Sequence, residues 1–372
     1  MSKIGENVKY TMKKILVVGG SKFIGKELLK KLSTKNDEIV VINRGTVRKE
    51  EYLPKNARHI SVDRNDKEAM KKAIGNDKFD IIYDICAVTA DHVKILIEVL
   101  NQKPSKHIHV SSGSVYDMYR EESPIFSLPF SEDFPIGPIE GAVHPYMEGK
   151  RDAEKILYEE FDKNKYPMII VRPTFVYGPN NYIYREAYFF DRINNGRPIL
   201  IPNKGNGFQD LVYVEDLVDL MVLLAESEDK KILGEAYNAT KGNIINANQF
   251  VKSVEKVLKK KADIVYYDVD EITEMGWTME LQLYPYMPEG GNCQDARKIE
   301  QDLGFKNQLS YIEGLTKSFE WWLENGEKRE ESELEKNLID YIKSKGKADE
   351  ENLKEILRDT ISKEQRKIKE QT

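Results

Sequence analysis

The sequence predicts an α/β protein: a doubly wound parallel sheet, then a smaller C-terminal α/β lobe and a charged helical tail. Three observations carry that expectation. Between residue 13 and about residue 172, six short β-branched runs alternate with stretches whose apolar residues recur every three or four positions. The first run leads directly into a glycine-rich turn, "ILVVGGSKFIG", Ile15 to Gly25. After residue 173 the alternation breaks into the turn-rich segments "VYGPNN", "NNGRPILIPNKGNG" and "PYMPEGGN".

The strand candidates, in order, are "KILVVG", "EIVVIN", "RHISV", "FDIIYDI", "KHIHVSS" and "YPMIIVRP". Between them "FIGKELLKKL", "KEAMKKAI" and "DHVKILIEVL" have helical spacing. A sheet wound in this way takes its ligand at the carboxyl ends of the strands. The expected domains are 12–178 for dinucleotide binding, 179–323 for a substrate lobe interleaved with the first, and 324–372 for the tail. In the tail, Leu334, Leu338, Ile342, Leu353, Ile356 and Leu357 form a thin apolar stripe, enough for helices that dock on something; the segment reads as a solvated helical appendage ahead of a dedicated partner site. Trp321 and Trp322 read as terminal-helix core.

With 372 residues, 40% of them hydrophobic, the chain can bury a sizeable core. Its net charge of -6 lacks the broad basic field on which non-specific nucleic-acid binding relies, so nucleic acid is not an expected partner. Cys86 and Cys293 have no zinc or disulfide spacing and read as buried or inert thiols. No apolar run reaches membrane-spanning length, and the N-terminal run is too short for a signal-peptide core. A cytoplasmic protein is expected, with Met12 as an alternative start that would make the first eleven residues dispensable.

In the glycine turn, Gly19 and Gly20 allow a sharp reversal, and Gly25 allows close helix packing. Free amides at the helix start attract a pyrophosphate. With Ser21, Lys22, Phe23 and Ile24 these glycines form the expected cofactor cradle of a Rossmann-type domain, although Lys22 stands where a middle glycine is usual. The second strand ends in "VINRG", so Asn43 occupies the place of the carboxylate that would bind the ribose diol of NAD, and Arg44 follows it. Arg44 and Lys22 favour NADP(H) over NAD(H), unless both are solvated surface charges. Asp63 is placed either to meet an adenine amino group or to cap the helix of "RNDKEAM". Arg64 beside it, and Ala87 beyond the fourth strand, are assigned to the cofactor as well.

The fifth strand ends in "HVSSGSVYD", and "HPYMEGKRDAEKILYEEF" follows some thirty residues later. Tyr146 and Lys150 are four apart and share one helix face. A nearby ammonium stabilises a phenolate and brings tyrosine into range as a proton shuttle. A serine hydroxyl at a neighbouring strand end can hold the substrate oxygen. His107 and His109 alternate on one strand without a third ligand, so no metal is expected. His144 either lines the cleft entrance or caps the helix. Tyr182, Tyr184 and Tyr188 form either a substrate wall or ordinary packing.

The chain resembles the extended short-chain dehydrogenase/reductases, the NAD-dependent epimerase/dehydratase family. The resemblance rests on "GGSKFIG", "VSSGSVY", "YMEGK", "VRPTFVYGP", "GFQDLVYVEDLVDLM", "DARKIEQDLGF" and "EGLTKSFEWW", and spans roughly residues 13 to 323. It implies a Ser112, Tyr146, Lys150 triad, with Lys150 also binding the nicotinamide ribose and Pro173 lying beside the nicotinamide. It also implies a second lobe that closes a substrate cleft, and a homodimer. Two departures bear on substrate: Phe175 replaces an asparagine, and Gln209 an arginine, that help hold the diphosphate in nucleotide-sugar enzymes. Ser114 is placed with them as substrate-facing. The missing middle glycine, the "NRG" and the glutamine resemble an atypical subgroup that includes chloroplast stem-loop-binding proteins. The expected function is an NAD(P)-dependent oxidoreductase or epimerase acting on a hydroxyl or keto carbon of a sugar-like, nucleotide-linked substrate. The alternative is a non-catalytic dinucleotide-sensing or RNA-associated protein on the same fold.

Overall fold

Valine and isoleucine fill the strands because both faces of a parallel sheet are covered. The computed structural model describes residues 11–116, 128–137, 144–288 and 291–371. The chain runs through β1 (Lys14–Val18), α1 (Phe23–Leu32), β2 (Glu38–Asn43), β3 (Ala57–Ser61), α2 (Lys67–Ile74), β4 (Ile81–Asp84) and α3 (Ala90–Val99). It continues with β5 (Lys106–Val110), α4 (Pro145–Asn164), β6 (Met168–Pro173), β7 (Phe175–Tyr177), α5 (Glu186–Asn194), β8 (Ile199–Pro202), β9 (Phe208–Gln209) and β10 (Leu211–Tyr213). Then come α6 (Val214–Glu226), β11 (Ala236–Ala239), β12 (Ile245–Asn246), α7 (Ala247–Leu258), β13 (Ile264–Tyr267), α8 (Val269–Glu274), α9 (Arg297–Leu303), α10 (Tyr311–Asn325), α11 (Glu333–Ser344) and α12 (Glu350–Gln371).

Seven parallel strands form one sheet in the order β11-β6-β5-β4-β1-β2-β3. The winding reverses between β1 and β4, so a crevice opens at their carboxyl ends. The six strands read from the sequence are all present. The seventh, β11, was not read, because its four residues "AYNA" carry a buried asparagine and lack the β-branched signal. Under α2 and α3, Leu16, Val18, Val40, Ile42, Met70, Ile82 and Leu96 form one apolar cluster. Each such fully buried aliphatic contributes about 1.5–3 kcal/mol relative to exposure.

The chain divides into two compact units. One takes the chain through Thr174 together with Val214–Ala239 and Gln294–Lys306; the other takes Phe175–Tyr213, Thr240–Cys293 and the remainder. The second unit contains the parallel pairs β7–β10 and β8–β13 and the antiparallel pair β9–β12. Its aromatic core includes Phe189, Phe190, Phe250, Tyr286 and Trp322, while Trp321 is only partly buried.

The tail helices dock, as their apolar stripe allows, and are not the solvated appendage that their charge suggested: α11 and α12 bury Leu334, Leu338, Tyr341, Leu357 and Ile361 against Val265, Trp277 and Leu283 of the second unit. A capping box fixes the start of α11: Ser332 Oγ accepts from Glu335 N at 3.2 Å, and Glu335 Oε2 accepts from Ser332 N at 2.8 Å. Among the described residues no helix is long and apolar enough to cross a membrane.

Candidate active site

The turn after β1 has the backbone of a phosphate cradle. Gly19 and Gly20 sit at φ +116° and +95°, a region that side chains disfavour. A Cβ at Gly25 would lie 2.4 Å from Gly20 Cα and 2.5 Å from Ile85 Cδ1, so α1 can start close to the turn only with glycine there. Lys22 adopts φ -138°, extended backbone open to any residue, and its side chain is exposed, which explains how lysine is accepted. The left-handed conformation falls instead on Phe23, at φ +40° with a buried ring. Ser21 and Ile24 are half-buried in the same turn. No side chain caps α1, which leaves its N-terminus suited to an anionic pyrophosphate. The residues present therefore fit a dinucleotide.

At the end of β2 the sequence reading of Asn43 needs correction. Its Nδ2 donates to Gly19 O (3.1 Å) and Tyr52 Oη (3.0 Å), while Oδ1 accepts from Gly45 N (2.8 Å) and lies 2.9 Å from His59 Nε2. The carboxamide is thus committed to tying the two turns together and is not available to a ribose. Arg44 is exposed next to it. The cap alternative for Asp63 is corrected: its Oδ1 accepts from Asn65 N and Nδ2, both at 2.9 Å, and the residue capping α2 is Asp66, which accepts from Ala69 N at 2.9 Å. Arg64, assigned to the cofactor, is engaged elsewhere. It forms a two-pronged ion pair with Asp84 (2.7 and 2.8 Å) and donates to Cys86 Sγ (3.1 Å) and His92 O (3.1 Å). Of the two thiols read as buried or inert, Cys86 is exposed and Cys293 is buried.

Strand register supplies a neighbour that spacing alone could not reveal. Asp84 on β4 pairs with His109 on β5, and Ile82 with His107, so Asp84 joins both histidines on one face. All three are fully buried. Burial pushes the His107 imidazole down to about 4 and His109 well below its ordinary value, so both rings are neutral at pH 7. Burial alone would raise the Asp84 carboxyl, but the Arg64 guanidinium holds it well below the usual carboxylate range. Arg64 already pairs with both oxygens of this carboxylate, and Lys150 adds a further positive charge to its surroundings. A cation is therefore disfavoured despite the three ligand-type side chains.

Helix α4 brings the proton-transfer candidates to the crevice. His144 caps it, Nδ1 accepting from Tyr146 N at 3.3 Å, and Pro145 follows at the first helical position. Tyr146 is 43% exposed. Lys150, one turn on, is 3% exposed, and its Nζ donates to Ala87 O (2.6 Å) and Val110 O (2.7 Å) at the ends of β4 and β5. That Nζ lies 5.8 Å from the centre of the Tyr146 ring. Burial lowers Lys150 to about 8, with the Asp84 charge opposing the shift. Ser112 opens a short turn, and its Oγ accepts from Ser114 N (3.2 Å) and Ser114 Oγ (2.9 Å), so Ser114 orients Ser112. Arg151 joins α4 to this turn by donating from Nε to Val115 O (2.9 Å). One turn beyond Lys150, Glu154 forms a buried two-pronged pair with Arg172 (3.1 and 2.8 Å), which anchors α4 to β6. Pro173 ends β6, buried opposite Ala239.

Gly149 and Arg151 were not singled out from the sequence, yet they place the Tyr146 and Lys150 helix; nor was Asp84, whose charge acts on Lys150. A Cβ on Gly149 would lie 2.0 Å from Val88 O, a backbone atom. Gly149→Ala is expected to push α4 off the 87–89 segment and break the Lys150 contact with Ala87. Calorimetry should show a lower Tm and titration a weaker dinucleotide affinity; unchanged values for both would refute this role for Gly149.

The remaining sequence candidates lie in the second unit. Phe175 contacts the Tyr286 ring (5.3 Å between centres) and the Arg185 guanidinium (4.9 Å). Gln209 is buried, with Nε2 lacking a hydrogen-bond partner. Tyr188 is core, its Oη accepting from Leu200 N at 3.0 Å, and Tyr184 donates to Asp191. Tyr182 is exposed.

A doubly wound sheet with a glycine cradle at its switch point defines the class of α/β proteins that bind nucleotides there. Residues 15–240 match the family described as the NAD dependent epimerase/dehydratase family, and the chain belongs to that family. It is 28% identical to the chloroplast stem-loop binding protein of 41 kDa b of Arabidopsis thaliana, over 87% of this chain and 82% of that one. It is 24% identical to dTDP-D-glucose 4,6-dehydratase of Homo sapiens, over 84% and 91% respectively. Among solved structures, UDP-glucose 4-epimerase of Thermotoga maritima with UDP-glucose superposes with a TM-score of 0.69 at 23% identity, covering 84% of this chain and all of that one. dTDP-glucose 4,6-dehydratase of Bacillus anthracis in complex with NAD gives 0.68 at 18% identity, with coverage of 85% and 97%.

Proposed function

We propose that this protein binds a nicotinamide dinucleotide at the β1–β4 crevice and uses Tyr146, Lys150 and Ser112 on a hydroxyl or keto carbon of a nucleotide-linked sugar. The observation that carries the reading is the buried Lys150 ammonium, fixed by two strand-end carbonyls one helical turn below the exposed Tyr146. Gly19, Gly20 and the α1 N-terminus would hold the pyrophosphate. When bound, the dinucleotide supplies the hydride donor or acceptor. The chain's own residues then handle the proton. The Tyr146 phenol gives a proton to, or takes it from, the substrate oxygen, and the phenolate so formed is stabilised by the Lys150 charge and by its place in the first turn of α4. The Ser112 hydroxyl, oriented by Ser114, donates to the same oxygen. The nucleotide-sugar substrate is supported by the names of the human and Thermotoga relatives.

Arg44 and Lys22 support NADP(H) over NAD(H), since the carboxyl end of β2 carries Asn43 and Arg44 where NAD-binding chains carry a carboxylate. Fluorescence titration should show NADPH binding more tightly than NADH, with Arg44→Asp reversing the order by about tenfold or more. Failure of both dinucleotides to bind would end the enzyme reading; an unaltered order in the variant would end only the assignment to Arg44. The Arabidopsis relative's name supports a second reading, an RNA-associated protein. The net charge of -6 and the retained Tyr146 and Lys150 place it behind the first.

A further inference from the structure

A cavity of about 220 Å³ opens within the second unit, between the loop after β7 and the C-terminal end of α10. Its lining does not include Phe175 or Gln209, the two positions the sequence assigned to substrate. Tyr182, Tyr184 and Trp321 line it, with the buried Phe190 and Trp322 beneath. Tyr182 is 64% exposed and the adjacent Ile183 39%, so this rim leaves large apolar surface in water that the core of the unit does not use.

The polar lining narrows the choice of ligand. No lysine, arginine or histidine is among the lining residues, and the neighbouring Arg329 guanidinium is already committed to Glu327 and to the Tyr184 ring (4.2 Å), which leaves a phosphate or carboxylate without a spare cation in the lining. Two carboxylates are present, and each already has partners. Glu186 accepts from Gly178 N (3.1 Å) and from Asn181 Nδ2 (3.2 and 3.0 Å), and Glu327 accepts two bonds from Arg329 (3.0 Å each). An ammonium is therefore not needed to satisfy them. An ionised carboxylate has about four acceptor positions, so both retain capacity for hydroxyl donors. Asn325, also in the lining, uses Nδ2 on Trp321 O, and its side-chain oxygen is a further acceptor. Aromatic faces, spare acceptors and no net call for either ion suit a neutral polyol that has an apolar face and a hydroxylated rim.

We propose that this cavity is a monosaccharide site, in which the C–H face of a pyranose rests on Tyr182 and Trp321 while its hydroxyls donate to Glu186, Glu327 and Asn325. The site is separate from the reaction assigned to the first unit and does not depend on it: a protein that binds no dinucleotide would still bind the sugar.

Trp321 and Trp322 are two of only three tryptophans in the chain, and the third, Trp277, belongs to a different cluster, so the site carries its own optical reporter. Titration of the full chain with methyl β-D-glucopyranoside, methyl β-D-galactopyranoside and methyl N-acetyl-β-D-glucosaminide should give a saturable change in tryptophan emission with at least one of them. Tyr182→Ala, at an exposed position, should keep the wild-type Tm and weaken that binding about fivefold, the worth of one aromatic contact. Trp321→Phe should reduce the optical signal while calorimetry still detects binding. The proposal is overturned by a wild-type chain that shows no saturable response to any of the three sugars. It is equally overturned by an equal response to tetramethylammonium or acetate, or by unaltered affinity in Tyr182→Ala.

Discussion

Tyr146→Phe is expected to cut turnover by about 10²–10⁴-fold, the usual worth of one positioned proton-transfer group, while leaving NADPH affinity and Tm unchanged. The substitution removes one oxygen from a 43%-exposed ring and leaves the Lys150 contacts with Ala87 and Val110 in place. Conversion of UDP-glucose or dTDP-glucose, followed by chromatography of the sugar product, is the activity readout; nucleotide fluorescence reports binding. A variant that turned over at the wild-type rate would remove Tyr146 from the chemistry. Loss of cofactor binding along with activity would instead show that the ring serves the cradle.

The largest effect on stability is expected from Arg64→Met. The change leaves the fully buried Asp84 carboxylate without its two-pronged partner, and losing one side of a buried pair typically costs about 3–5 kcal/mol. Replacing both residues, Arg64→Met with Asp84→Leu, should recover most of that loss, because the desolvation cost disappears with the charge. The pH dependence provides a check on sign. Asp84 is depressed in the folded chain, so its contribution is present above the unfolded carboxylate value of about 3.9 and is lost as pH falls below it. In Arg64→Met the acid-side loss traceable to this pair should vanish. Denaturant titrations from neutral to acid pH would decide the matter: a single variant as stable as the wild type, or a double variant no better than the single, would show that the pair contributes little.

What the sequence made legible was whatever depends on local pattern. The alternating β-branched runs, the glycine turn, and the Tyr146–Lys150 spacing are local features, and the sheet, cradle and shared helix face followed from them. Partner choice was not legible. Asn43 was read for its position at a strand end, but it is taken up by Gly19, Gly45, Tyr52 and His59, contacts created when three strand ends come side by side. Arg64 was assigned to the cofactor beside Asp63, and only the crossing to β4 shows that Asp84 holds it. Gly149 looks unremarkable in "YMEGK" until the backbone at Val88 is set against it. The tail misled because its charge density suggested solvation, whereas stability depended on the narrow leucine row that meets Val265 and Trp277.

The late arrival of β11 has a consequence for biosynthesis. β6 is made early, but its outer neighbour in the sheet comes from Ala236–Ala239, after β7 to β10 and α6 have left the ribosome. Throughout that interval the nascent chain carries β6 with its peptide groups on one side unpaired, a template for other strands. Slow translation between β6 and β11 should therefore lengthen the window for off-pathway association, and a chaperone acting there would have a defined edge to shield.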